Sequence, residues 1–226
     1  MIIRQRAIQV EDKQERYQAI LDAAERVLMR SPDQSANVAE VAEAAGLAKG
    51  TVYLYFQSKE ELLLALHERN VEGFFSVLIA RLENAAPVGI DDILALSHQH
   101  LIDPPLALPL AVRCLSNMGQ SISVESEVAF KRRLAERLSS AGAGLERHFP
   151  ELGPGGGVAL LHHSYALILG LWQLSGAEQR CPAPDIQSLP AFSWNYAESV
   201  GSALRALWRG TTGADTARNP TPGNPS

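Results

Sequence analysis

Apolar residues from position 11 to 30 recur at Tyr17, Ile20, Leu21, Ala24, Val27 and Leu28. That spacing puts one buried stripe on a helix and predicts an amphipathic element over the whole stretch. Ser31-Pro32-Asp33 ends it. Asn37 then caps a short helix, Val38 to Ala45, with Val38, Val41 and Ala42 on one side. Gly46 follows at the position where a left-handed backbone costs glycine least. A second short helix, Lys49 to Phe56, begins three residues later. Ser58-Lys59-Glu60-Glu61 reads as a capping box that opens a long helix toward Arg81, with Leu62, Leu63, Leu66 and Phe74 or Phe75 inward.

Beyond Arg81 the helical period continues in longer segments: Ile90–Ile102, Leu106–Gln120, Val124–His148, Val158–Ala177 and Ala191–Arg209. Pro104-Pro105, Phe149-Pro150 with the glycine run at 153–157, and Cys181-Pro182-Ala183-Pro184 interrupt them. No alternating run of useful length predicts a strand, and no internal repeat is present. The expected fold class is all-α. The expected division is an N-terminal arm (1–10), a helix-turn-helix head (11–66), a larger helical domain (67–210) and a disordered Pro/Gly-rich tail (211–226).

The 226 residues carry a net charge of −5 and are 46% apolar, as in an ordinary soluble globular protein. Cys114 and Cys181 form no CxxC, so neither a disulfide framework nor a zinc cage is indicated. No apolar stretch follows Arg4 and Arg6, so a secretory signal is not expected. The longest apolar run, Tyr165 to Trp172, is far below the roughly 20 residues that span a bilayer. The expectation is a cytoplasmic protein without a membrane anchor. Acidity lowers the prior for nucleic acid, and residues 1–81 hold 10 basic against 12 acidic side chains. Any grip on phosphate must come from a local cationic patch.

Such a patch is available. A helix, a glycine turn and a second short helix form a helix-turn-helix, with Val41, Ala42, Leu47 and Val52 as its wedge. The outward side of the second helix then carries Lys49, Thr51, Tyr53 and Tyr55, with Lys59 opening the next helix. Lysines neutralise phosphates, hydroxyls and helix N-termini hydrogen-bond phosphate oxygens, and Gly50 leaves room for a sugar-phosphate strand. Tyrosine or threonine can also meet a thymine methyl. Taken singly, each of these residues reads far more readily as a half-buried core aromatic or a solvated lysine; the glycine turn, short helix, lysines and capping box together favour DNA.

Through ILDAAERV (20–27), VAEVAEAAGLAKGTVYLYF (38–56) and SKEELLLAL (58–66), the chain resembles the TetR family of bacterial transcriptional regulators. The resemblance covers residues 15 to 64. It implies an all-helical homodimer with a three-helix DNA-binding head and a variable C-terminal domain that dimerises and binds a small effector. It implies a recognition helix at Lys49–Phe56 and DNA contacts from Lys49, Gly50, Thr51, Tyr53 and Tyr55. Lys59 and the helix start at Asn37 and Val38 are placed on the DNA backbone. Ala48 stands where members often have serine, which removes a cap at a cost of ~1 kcal/mol. Asn37 stands where threonine is common, and it caps equally well.

Residues 82–226 match no motif. In Val158–Ala177 apolar residues point in nearly every helical direction, as in a helix buried on all sides. Paired with Ala191–Arg209, where Phe192, Tyr196, Val200, Leu204 and Leu207 recur, it forms either a dimer interface or a monomer core. Polar or adaptable residues on these apolar helices are the candidate lining of an effector pocket: His98, Arg113, Asn117, Met118, His162, Tyr165 and Trp172. His98 with His100, and His162 with His163, do not share a helix face, so no metal is expected. Lys131-Arg132-Arg133 lies among glutamates and reads as a solvated face, and Cys114 as a buried apolar cysteine. No phosphate loop, nucleophile elbow or carboxylate pair is present, so neither a cofactor nor enzymatic activity is expected. The reading is a repressor released from a pseudo-palindromic operator by a small apolar effector. An activator or ligand-independent binder on the same scaffold remains open. So does a helical carrier or enzyme with a vestigial helix-turn-helix.

Overall fold

The computed structural model describes residues 2–30, 37–179 and 195–213, with side chains described over 12–30, 37–175 and 195–213. Its elements are α1 (Ile2–Arg30), α2 (Val38–Ala44), α3 (Lys49–Tyr53), α4 (Lys59–Glu83) and α5 (Ile90–Ser97), which continues as a π-helical turn (His98–Ile102). After these come α6 (Ala107–Asn117), α7 (Val124–His148), a 3₁₀ turn (Pro150–Leu152), α8 (Gly156–Gln179) and α9 (Tyr196–Thr212). No strand occurs among the described residues, and no helix there is long and apolar enough to cross a membrane. The fold is all-α. The break at Ser31-Pro32-Asp33, Phe192 and most of the tail lie outside the described residues.

The chain divides into two compact units, residues 1–72 with 103–132 and residues 73–102 with 133–226. The boundary falls inside α4 and inside α7. The first helix begins at Ile2, ahead of the stretch where the apolar spacing starts. The segment 90–102 is α-helical only to Ser97, where the Ser97 hydroxyl donates to the Ile93 carbonyl before the π turn begins.

In the first unit Ile20, Leu21, Ala24 and Leu28 of the α1 stripe are buried, while Tyr17 and Val27 at its margins are half-buried. α1 packs on α2, and Val38, Val41 and Ala42 of α2, Val52, Phe56, and Leu62, Leu63 and Leu66 of α4 are buried in the same unit. Arg69 ties α4 to α1 through Asp22 (2.5 Å) and Glu25 (2.6 Å). Both carboxylates are about half exposed, so the pair orients the helices more than it stabilises them.

In the second unit α9 packs on α8 and α5. The buried Trp208 indole donates to Ser164 Oγ at 2.9 Å, and that hydroxyl donates in turn to the Leu160 carbonyl at 2.7 Å. A buried indole N–H without this acceptor would carry its full desolvation cost. The Tyr196 hydroxyl donates to the Ile168 carbonyl at 3.2 Å, and burial pushes its pKa up to about 12. α8 is not enclosed on all sides within one chain. Leu160, Leu161, Ile168 and Leu169 are buried, but His162, His163 and Ala166 are exposed and Leu174 is 61% exposed. A single chain covers only part of this helix.

Candidate nucleic-acid interface

The Asn37 side chain accepts the Ala39 N–H at 3.0 Å and so caps α2. α2 ends at Ala44, and Gly46 follows with a φ of 67°, the left-handed turn expected there. Val41, Ala42 and Val52 are buried and Leu47 is half-buried, so the wedge between α2 and α3 is as the sequence implies. Val38 is buried in that wedge, so only its backbone could meet a phosphate.

α3 is shorter than Lys49–Phe56. It ends at Tyr53, and the N–H groups of Leu54 and Tyr55 bond three residues back, to Thr51 and Val52. The tightened turn swings Phe56 inward, where it is buried with its ring 5.0 Å from that of Tyr17. Core burial of one aromatic therefore ends the helix early. Ala48 caps α3 with no side-chain bond, as its missing hydroxyl implies.

What α3 leaves to solvent is specific. Lys49 and Gly50 are exposed, Tyr53 is 44% exposed, and Thr51 and Tyr55 are half-buried. Nothing lies within 4 Å of where a Gly50 Cβ would be. The Lys49 ammonium sits 6.0 Å from the Tyr53 ring centroid, at the outer limit of a cation–π contact. Leu54, absent from the sequence candidates, is 82% exposed between the two tyrosines. The apolar period could not flag it, because a leucine following a helical stripe reads as core. Lys59 is half-buried at the start of α4.

The capping box at Ser58 is altered in one bond. Ser58 Oγ accepts the Glu61 N–H at 3.1 Å, but the Glu61 carboxylate takes the N–H of Gln57, not that of Ser58.

The effector candidates are divided between the two units. Arg113, Asn117 and Met118 belong to the first unit, and His98, His162, Tyr165 and Trp172 to the second. His162 is exposed and the other six are half-buried. The Asn117 amide is spent on the Arg113 carbonyl of its own helix, at 2.9 Å. Cys114 is buried, and desolvation pushes its thiol up to about 12, against the weak pull of Arg113.

Two family models match the chain: "Bacterial regulatory proteins, tetR family" over residues 20–66, and "Tetracyclin repressor-like, C-terminal domain" over residues 68–214. The chain belongs to the TetR family. Members of the TetR family are DNA-binding transcriptional regulators that act as dimers with small-molecule ligands.

Among TetR-family relatives, the fatty acid metabolism regulator protein of Bacillus subtilis (strain 168) is 35% identical over 65 residues, 29% of this chain and 34% of that protein. The HTH-type transcriptional regulator EthR of Mycobacterium tuberculosis (strain ATCC 25618 / H37Rv) is 39% identical over 72 residues, 32% of this chain and 33% of that protein. The chain thus spans about a third of the length of the curated relatives it matches. A crystal structure assigned to a TetR-family transcriptional regulator of Mesorhizobium loti MAFF303099 aligns over 89% of this chain and 96% of its own, with TM-score 0.53. At 15% identity it shows the shared fold alone.

Proposed function

We propose that this chain is a ligand-responsive transcriptional repressor that binds a pseudo-palindromic operator as a homodimer and leaves it when a small apolar effector binds. The observation that carries the reading is α3: five residues fixed from below by Val52, presenting Lys49, Gly50, Thr51 and Tyr53 outward, with Leu54 and Tyr55 next to them. A short helix with one buried side and a free outer side suits a major groove, which admits a single helix. Lys49, Lys59 and the α2 N-terminus at Asn37 would hold phosphate, while Thr51, Tyr53, Leu54 and Tyr55 would meet base edges and thymine methyls.

Dimerisation through 158–177 and 191–209 is supported by α8, which exposes Leu174 and Ala166 and half-exposes Leu167, Leu171 and Trp172. A second copy would cover them, and two heads would then reach half-sites about one helical turn (~34 Å) apart. The effector must bind the released state better than the DNA-bound state, or it shifts nothing. The apolar character of α8 and α9 supports an apolar effector, and the half-buried His98, Tyr165 and Trp172 supply its polar edge.

The test is an electrophoretic shift on the DNA upstream of the chain's own gene and on genomic fragments, across a salt series. Binding that weakens steeply with salt is expected. Failure to retard any fragment at low salt would discard the regulator reading.

A further inference from the structure

Two helix N-termini of the first unit share one carboxylate. Ser58 Oγ accepts the Glu61 N–H at 3.1 Å, and Ser123 Oγ accepts the Ser126 N–H at 3.2 Å, so these serines cap α4 and α7. Glu61 Oε1 accepts the hydroxyls of Ser123 (2.7 Å) and Ser126 (3.0 Å), 62 and 65 residues away. Glu61 Oε2 accepts the Gln57 N–H at 3.1 Å. The turn before α7 is pinned in its turn, because the Gly119 N–H donates to Glu127 Oε2 at 3.1 Å. Desolvation pushes the Glu61 carboxyl up, yet the Ser123 hydroxyl, the Gln57 N–H and the Ser126 hydroxyl together hold it below its ordinary value. The charged form is therefore the one that is bound.

The position of this clamp gives it a role. Gln57 is the first residue after Phe56, on the segment by which α3 leaves for α4. α3 has five residues and no side-chain cap of its own, so it cannot hold its place by local bonding. Its fixed points are the buried Val52 and Phe56 and the bonded Gln57 N–H.

We infer that Glu61, Ser123 and Ser126 are positioning residues for DNA recognition: hydroxyls at the N-cap and first turn of α7 hold the carboxylate that fixes the exit of the recognition helix. The inference rests on the reading of α3 as the DNA-contacting helix. Base-edge contacts tolerate little displacement, whereas phosphate contacts through flexible lysines tolerate more. The clamp should thus govern specific binding and leave non-specific binding alone.

The test uses the full chain, a duplex that the wild type selects from a random-sequence pool, and an unrelated duplex, at a temperature below every variant's unfolding transition. Glu61→Gln keeps the size but replaces one of the two accepting carboxylate oxygens, and the charge, with an amide N–H. Ser126→Ala removes one clamp hydroxyl and leaves the Ser123 cap. Each should weaken the selected duplex by roughly tenfold, the worth of one hydrogen bond to a charged group. Affinity for the unrelated duplex and its salt slope should not change. Combined, the two substitutions should cost no more than Glu61→Gln alone, and Ser126→Thr should restore full affinity. Unchanged selected binding in Glu61→Gln and Ser126→Ala, equal losses on both duplexes, or additive losses would overturn the clamp. A wild type that selects no duplex, or a Tyr53→Ala variant that keeps full affinity, would instead bring down the reading of α3 and the clamp with it.

Discussion

Gly157 of α8 lies directly against the backbone of Gly142 of α7: a Cβ on Gly157 would overlap the Gly142 carbonyl oxygen and sit 2.8 Å from its carbonyl carbon. The Gly157 N–H meanwhile donates to Glu146 Oε1 at 3.1 Å, which satisfies one open donor at the start of α8. Backbone meets backbone here, so no side chain can move aside. Gly157→Ala should destabilise the fold by about 2–3 kcal/mol. Gly73→Ala, on an exposed part of α4 with nothing within 4 Å, should stabilise it by up to ~1 kcal/mol. Urea unfolding of the two variants beside the wild type measures both, and equal midpoints would contradict the close crossing.

His67 is 5% exposed, its Nδ1 is buried without a partner, and its ring lies 6.0 Å from that of Phe130. Burial disfavours the imidazolium and lowers the pKa from 6.5 to about 4, against a small upward pull from Glu68. The unfolded chain therefore takes up this proton near pH 6.5, and the folded chain only near pH 4. Stability from this residue is complete above pH 6.5, falls as the pH drops to about 4, and levels below that. The loss approaches roughly 3 kcal/mol. His67→Leu should remove that part of the slope between pH 7 and 5, as read from urea midpoints at the two pH values.

On α3 the residues should separate by role. Tyr53→Ala and Thr51→Ala are expected to abolish specific DNA binding with helix content intact, because neither side chain belongs to the buried wedge. Leu54→Ala should weaken only those sequences with a thymine methyl beneath it. Lys49→Ala should weaken all sequences and reduce the salt slope by about one unit. Fluorescence anisotropy across a salt series distinguishes the three patterns, and loss of helical circular dichroism in Tyr53→Ala would place that ring in the core instead.

Leu174→Arg places a charge on the exposed side of α8. A shift from dimer to monomer in sedimentation velocity is expected, together with loss of operator binding and retention of helix content. A variant that sediments as the wild type does would remove α8 from the subunit interface.

The sequence by itself determined the parts of this protein that are written at spacings of three and four residues. Val124–His148 is a helix to the residue, Asn37 and Gly46 bound α2 as read, and four of the six α1 stripe residues are buried, with Tyr17 and Val27 half-buried. Periodicity, caps and left-handed turns are local chemistry, so one stretch of chain suffices to specify them. The tertiary structure decided the rest. It ended α3 at Tyr53 by burying Phe56 against Tyr17, left Leu54 in solvent, and diverted the Glu61 carboxylate to Gln57 and to serines more than 60 residues away. It also brought Gly142 and Gly157 into contact and buried His67 beside Phe130. Each of those outcomes depends on which partner the folded chain delivers, and no local pattern carries that information.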